Sequence, residues 1–267
     1  RTYPYKRPGY PFAKRGERSI ARAYNKAVKR AQVLIYLEDQ YLWSEDIAQA
    51  LADALEATPT LHLIAVVPRY PEQDGRISGA PPRVGQEAAL QRIYAAGGER
   101  VIICDIENEM SRPIYVHAKA CVMDDIWAMV GSDNLNRRSW THDSELSCAV
   151  LDEQRDEREP RDPAGLGDHA RVFARNLRLE LWREHLGHHD DQGLIDPIEA
   201  FAEWRRSMEE LDGWHERGRV GPRPPGRVRR HRLEPVSRWS RWWAKPVYRA
   251  LVDPDGRPRD LRRSSSF

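Results

Sequence analysis

The 267-residue sequence has little cysteine, little phenylalanine and almost no net charge. Its three cysteines, Cys104, Cys121 and Cys148, are scattered through apolar runs, so they read as small core residues of a reducing compartment and exclude a disulfide framework. No His or Cys spacing suits a metal, and neither a metal nor a cofactor is expected. No apolar run reaches transmembrane length and no signal peptide opens the chain, which leaves a cytoplasmic or peripheral membrane setting. There is no internal repeat. The formal net charge of +2 hides an asymmetry, because arginines crowd the C-terminal end. With 40% hydrophobic and 31% charged residues, the chain has enough apolar material for one substantial core.

The most informative stretch is His117-Ala118-Lys119, followed by Asp124 and then by Gly131-Ser132-Asp133-Asn134. The pattern is H-x-K-x4-D-x6-G-S-x-N, and each residue type suits phosphoryl chemistry. An imidazole can attack phosphorus or protonate a leaving oxygen. An ammonium two residues on shares its face of a strand and meets the charge that gathers on phosphoryl oxygens. The Gly-Ser-x-Asn turn supplies a hydroxyl, an amide and backbone N–H groups, all suited to an anion. Ser132 and Asn134, with Lys119, are the expected phosphate-binding residues.

These residues together resemble the signature of the phospholipase D superfamily, matching it at every fixed position. The block from Glu17 to Trp43, ending IYLEDQYLW, resembles the stretch before the second motif of eukaryotic-type phospholipases D, with Asp39 where those carry Asn. The ARNLRLELWREHLG segment resembles the close of the catalytic region, so the resemblance covers roughly residues 1–190. It implies a two-step reaction. One motif's His forms a phospho-histidine. The other's protonates the leaving alcohol and then activates water or an acceptor alcohol. The chain opens on Arg1 and holds one such motif, so the expectation is a C-terminal lobe that needs a second lobe, with His117 as general acid/base. The resemblance gives Asp124 a structural part within the catalytic set. It puts the carboxylate that orients His117 at about Glu145, with Asp143 second; Glu38, Gln40 and Asp143 are possible pocket residues.

Element by element, periodicity predicts helices over 17–30, from the N-cap Ser44 to about Ala57, over 86–96, 169–186 and 197–211. It predicts strands over 33–37, 61–67, 101–104, 115–123, 127–130 and 145–151. Residues 1–16 and 68–85 read as irregular, the latter a long Gly/Pro-bearing loop, and 134–140 as a polar turn. The alternation argues an α/β class: a phospholipase D-like α/β/α sandwich lobe with a mixed sheet over 1–190, an accessory helix over 191–215, and a basic, Pro/Arg/Trp-rich tail over 216–267. Within that tail, residues 217–232 read as an extended linker. Trp239, Trp242 and Trp243 fall on one helical face, as either a strap packed on the lobe or an interfacial anchor. The expected function is hydrolysis of glycerophospholipid headgroups. The alternatives are a phosphatidyl transferase of the cardiolipin synthase type and a one-motif nuclease built as a symmetric dimer. Expected partners are a phospholipid, a membrane surface and a second motif-bearing lobe; nucleic acid is not the expected partner.

Overall fold

Alternation of apolar strands with amphipathic helices resolves into one seven-stranded sheet covered on both faces. The computed structural model describes residues 11–13, 16–70, 79–233 and 235–263. The expected irregular opening therefore lies largely outside the described residues, as does the middle of the loop expected over 68–85. The strands are β1 (Leu34–Asp39), β2 (His62–Val66), β3 (Val101–Ile106), β4 (Lys119–Met123), β5 (Trp127–Gly131), β6 (Ser147–Val150) and β7 (Val228–Arg230), in the spatial order β6-β5-β4-β1-β2-β3-β7. β1, β2 and β3 pair in parallel and the other pairs are antiparallel, so the sheet is mixed. The central strands β1 and β3 are buried along their whole length, as sheets covered on both faces require.

One face is covered by α1 (Ser19–Arg30), α2 (Glu45–Ala57) and α3 (Ala80–Gly97), whose Tyr24, Ile47, Leu51, Leu90 and Ile93 meet Ile35, Leu37 and Leu63 of the sheet. A short α4 (Arg137–Thr141) adds Trp140, which stacks on Tyr24. The other face is covered by α5 (Val172–Leu186) and α6 (Pro197–Glu216), which bring Trp182 and Trp204 against Tyr36. The α/β/α sandwich with a mixed sheet is therefore the fold.

Several expected boundaries are corrected. Helix α3 begins at Ala80 rather than 86, because Pro81 and Pro82 sit in its first turn, where a missing N–H costs nothing. Gly85 lies inside it, and a Cβ there would come within 2.4 Å of the Tyr248 ring. The polar turn over 134–140 contains α4, capped by Asn136, whose side chain accepts from Ser139 N–H. Strand β6 begins at Ser147, so Asp143 and Glu145 stand in the loop before it. At this sheet edge Cys148 is exposed, unlike buried Cys104 and Cys121.

The expected linker over 217–232 is the largest correction. Its Val228–Arg230 segment is β7, paired to β3 at the register Cys104↔Arg230. The arginines answer buried carboxylates. Arg229 contacts Asp212 at 2.5 Å and Glu107 at 3.1 Å, and His215 contacts Glu107 at 2.8 Å. Residues 191–230 thus build the same layered lobe. Further on come α7 (Arg238–Val247), a π-helical turn over Tyr248–Val252, and α8 (Arg259–Arg263).

Two adjacent aspartates at the β4–β5 turn, both at positive φ, hold the layers together. Asp124 accepts the N–H groups of Gln32, Val33 and Leu34 at 2.7, 2.9 and 2.8 Å. Asp125, fully buried, takes Arg178 in two contacts of 2.5 and 2.7 Å and Arg175 Nε at 2.9 Å. Burial acts to raise the Asp125 carboxyl, but the two guanidinium groups outweigh it and hold the carboxyl below its ordinary range. Asp125→Ala, which leaves two buried cations short of their partner, is expected to destabilise the lobe by about 3–5 kcal/mol, read from urea unfolding. A loss under about 1 kcal/mol would contradict this.

Candidate active site

The parallel strands β1, β2 and β3 all finish at one end of the sheet, and β4 starts there beside β1. The chain leaving β3 turns back on itself, with Pro113 bridging Glu107 and Ile114 N–H reaching the Ile106 carbonyl at 2.8 Å, and then crosses the ends of β2 and β1, so residues 114–118 lie outside any strand. The motif segment was expected as strand from Tyr115; the strand starts at Lys119. His117 therefore stands exposed on the rim, at the carboxyl ends of the parallel strands, where open α/β sheets gather their ligands.

The register places the remaining parts. Lys119 pairs with Asp39, and Ala120 with Val130. The Gly131 turn thus lies beside Lys119. Gly131 faces Ser147 so closely that a Cβ would stand 2.0 Å from its hydroxyl, which is why this position must be Gly. Lys119 is almost buried, and its Nζ donates to Gln40 Oε1 at 3.1 Å and to the His117 carbonyl at 2.9 Å. Gln40 Nε2 donates in turn to Tyr115 Oη at 2.6 Å, and the Tyr115 and His117 rings lie nearly parallel with centroids 6.3 Å apart. Gln40 thus holds both the ammonium and the aromatic beside the imidazole. Tyr115 was not singled out; its place two residues before His117 in the alternation was the available signal.

Asp39 explains how the β1 end and the motif turn stay in register. Its carboxylate accepts Tyr41 and Leu42 N–H at 2.7 and 2.8 Å through one oxygen, and Leu135 N–H at 2.8 Å through the other. Burial raises this carboxyl to about 6 against those three donors, and neighbouring Asp133, itself raised by burial to about 6, adds repulsion.

Three expected assignments change. Glu145 does not reach His117: it accepts the Ser132 hydroxyl at 2.5 Å and the Ser139 hydroxyl at 3.1 Å. Asp143 is engaged by His142 at 2.9 Å and Arg138 at 2.6 Å. Glu145 thus ties the Ser132 turn to α4 and Asp143 stays with Arg138 and His142, and among the described residues none hydrogen-bonds the His117 ring. Glu38 is not a pocket residue. It faces the opposite core, accepting Tyr36 Oη at 2.6 Å and meeting His185 Nε2 at 2.9 Å, because alternation along β1 turns it away from the helices that carry Tyr24 and Leu51. Asp124 lies at the far end of β4, on the order of 17 Å from Lys119 at strand rise, so it sets strand position without touching Lys119.

Asn134 lines a cleft of about 430 Å³ with Tyr41, Trp43, Arg138, Asp143 and Leu251, and its Oδ1 is buried with no partner among the described residues. The stacked Tyr41 and Trp43 rings, 4.0 Å apart, form one wall, and the C-terminal Leu251 and Val252 another. No sequence signal linked that tail to the motif. Among the described residues no group of three His, Cys, Asp or Glu is arranged to hold a metal ion, and no helix is long and apolar enough to cross a membrane.

An exposed imidazole on the rim, a nearly buried ammonium two residues on and a Ser-x-Asn turn alongside are groups of the kind that suit phosphoryl chemistry. Residues 24–158, just over half of the chain, match the family model described as cardiolipin synthase, PLD-like domain, and the chain belongs to this phospholipase D-like family. It is similar to phospholipase D1 of Homo sapiens, 28% identical over 223 residues that cover 68% of this chain and 20% of that protein. It is also similar to phospholipase D zeta 2 of Arabidopsis thaliana, 26% identical over 226 residues covering 68% and 21%. The chain spans about a fifth of the length of the curated relatives it matches. Among solved structures, the phosphatidylserine synthase of Haemophilus influenzae matches with a TM-score of 0.41 and 19% identity, over 51% of this chain and 32% of that one. The phospholipase D family member Nuc of Salmonella typhimurium matches with a TM-score of 0.37 and 21% identity, over 49% and 74%.

The raised Asp39 carboxyl predicts a pH signature. A carboxyl with a higher pKa folded than unfolded binds its proton more tightly in the fold. Its contribution is therefore largest below about 4 and is lost as pH rises to about 6. The stability of wild type relative to Asp39→Asn is expected to fall by up to about 3 kcal/mol across that window and to stay level above it. A difference that rises with pH in denaturant titrations would refute the burial argument.

Proposed function

We propose that this chain is one catalytic lobe of a phospholipase D-type phosphodiesterase that hydrolyses glycerophospholipid headgroups together with a second motif-bearing lobe. The observation that carries the reading is the rim assembly: His117 accessible, Lys119 desolvated and held by Gln40, and the Ser132–Asn134 turn beside it. In this mechanism the partner lobe's His attacks phosphorus and the bond to the headgroup oxygen breaks. His117, protonated, gives that oxygen its proton and leaves as neutral imidazole. It then takes a proton from water, whose oxygen attacks phosphorus and frees the partner His, so phosphatidic acid leaves and His117 is protonated again. Lys119 and the Asn134 side-chain N–H groups hold the non-bridging oxygens as charge grows on them, while Ser132, whose hydroxyl donates to Glu145, fixes the turn beside them.

The surroundings favour an incomplete site. Leu146, just before β6, is 84% exposed, and Val130 on the neighbouring β5 is also exposed, while among the described residues the outer edge of β6 pairs with no strand. An apolar surface next to an unpaired edge suits a second lobe. Because the matching family model bears the description cardiolipin synthase, transfer to an alcohol in place of water is kept as a second outcome of the same chemistry.

In the full-length protein, assayed by headgroup release with EDTA present, His117→Ala is expected to lower turnover by about 10²–10⁴-fold. Lys119→Ala is expected to lower it by about 10²–10³-fold, both with unchanged circular dichroism. Retained turnover in His117→Ala, or loss on chelation, would overturn the mechanism. Adding a primary alcohol or phosphatidylglycerol distinguishes transfer from hydrolysis by product. Residues 1–267 alone are expected to be inactive; an active symmetric dimer in sedimentation would replace the two-lobe reading by a homodimeric, nuclease-like one.

A further inference from the structure

The C-terminal helix α7 has two unlike faces. Inward, Ala244 and Tyr248 are buried and Trp243 is half-buried near Ala80 and Val84. Tyr248 Oη donates to the Trp43 carbonyl at 2.7 Å and to the Asp253 carboxylate at 2.8 Å. Asp253 accepts Arg138 N–H at 2.6 Å, and its carbonyl accepts Arg137 at 2.6 Å. The strap is therefore locked to α4 and to the wall of the Asn134 cleft. The three tryptophans do not share one outward face, because Trp243 turns toward α3.

Outward, Trp239 and Trp242 are 67% and 76% exposed, their rings tilted by 55° with centroids 5.7 Å apart. Pro246 continues this stripe at i, i+3, i+7 spacing, and exposed Leu251 carries it to the mouth of the cleft. Packing already has its own face of this helix, so it does not account for two indoles in water. Within the segment itself charge is one-sided: residues 238–263 carry eight Lys and Arg, of which Arg241 pairs with Glu87 and Arg257 with Asp46 and Asp255, against three Asp. Arg238 is exposed, and Lys245 and Arg249 share Glu45, at 3.7 and 2.8 Å, while staying half-exposed. At ten residues the helix is about 15 Å long, too short to cross a bilayer and long enough to lie in its surface. Tilted indoles extended by Pro and Leu make an apolar wedge rather than parallel platforms for bases.

We propose that α7 is an interfacial helix. Its Trp239–Trp242–Pro246 stripe seats in the headgroup layer of an anionic bilayer, Arg238, Lys245 and Arg249 meet lipid phosphates, and Leu251 marks the contact line, so that the Asn134 cleft opens onto the membrane. The docking stands on the helix itself; the use of that orientation rests on the lipid-hydrolysis reading above.

The test is co-sedimentation of the full chain with vesicles of phosphatidylcholine alone or mixed with phosphatidylserine. Binding is expected to prefer the mixed vesicles and to weaken with salt. Trp239→Ser/Trp242→Ser is expected to lower partition about tenfold or more at every salt concentration, with an unchanged melting temperature because both side chains are exposed. Arg238→Gln is expected to weaken binding to the mixed vesicles alone. Unchanged partition of the double variant overturns the proposal. So does Trp-dependent binding of single-stranded nucleic acid, or Trp-dependent self-association, without vesicle binding. Vesicle binding that persists in a protein unable to release headgroups supports the docking and removes only the chemical reading. Turnover of a soluble phosphodiester without vesicle binding removes only the docking.

Discussion

Two neighbouring carboxylates, Asp124 and Asp125, set the geometry on which the site depends. They sit in one tight turn and reach different parts of the fold. Asp124 gathers three backbone N–H groups at the start of β1, and Asp125 clamps two arginines of α5. Because Asp124 pins one end of β4 to β1, the other end can pair only in one register, the one that sets Lys119 opposite Asp39. The five-residue step from Lys119 to Asp124 is thus one strand length. A slip of a single residue would turn Lys119 to the other face and empty the site of its cation.

The site itself combines a desolvated charge with an accessible proton carrier. Lys119 sets its Nζ against the Gln40 side chain and the His117 carbonyl in nearly buried surroundings, where a charge acts more strongly than in water. His117 is left exposed on the rim, where the proposed exchange of protons with substrate and water can take place. Glu145 acts one step away, by joining the Ser132 hydroxyl of the motif turn to the Ser139 hydroxyl of α4. The C-terminal strap completes this end of the molecule, lining the cleft with Leu251 and Val252.

What the sequence determined by itself was everything with a local or periodic signature. The apolar run over 33–37, the helical spacing of Ile20, Tyr24 and Ala27, and the fixed motif spacing each reflect a constraint that neighbours in the chain impose on one another. The family and the α/β class follow from them. Where side chains find partners was decided only in three dimensions. Glu38, Asp39 and Gln40 are adjacent in sequence, yet the first faces the His185 core, the second holds the motif turn and the third holds Lys119, because strand pleat and sheet register assign each a different neighbour. The arginines of 217–232 read as an extended linker until Glu107, just past β3, and Asp212 of α6 are seen to meet Arg229. Likewise, no local pattern could join Leu251 to Asn134. Their meeting depends on the folded strap, whose buried Tyr248 is placed by a glycine in a different helix.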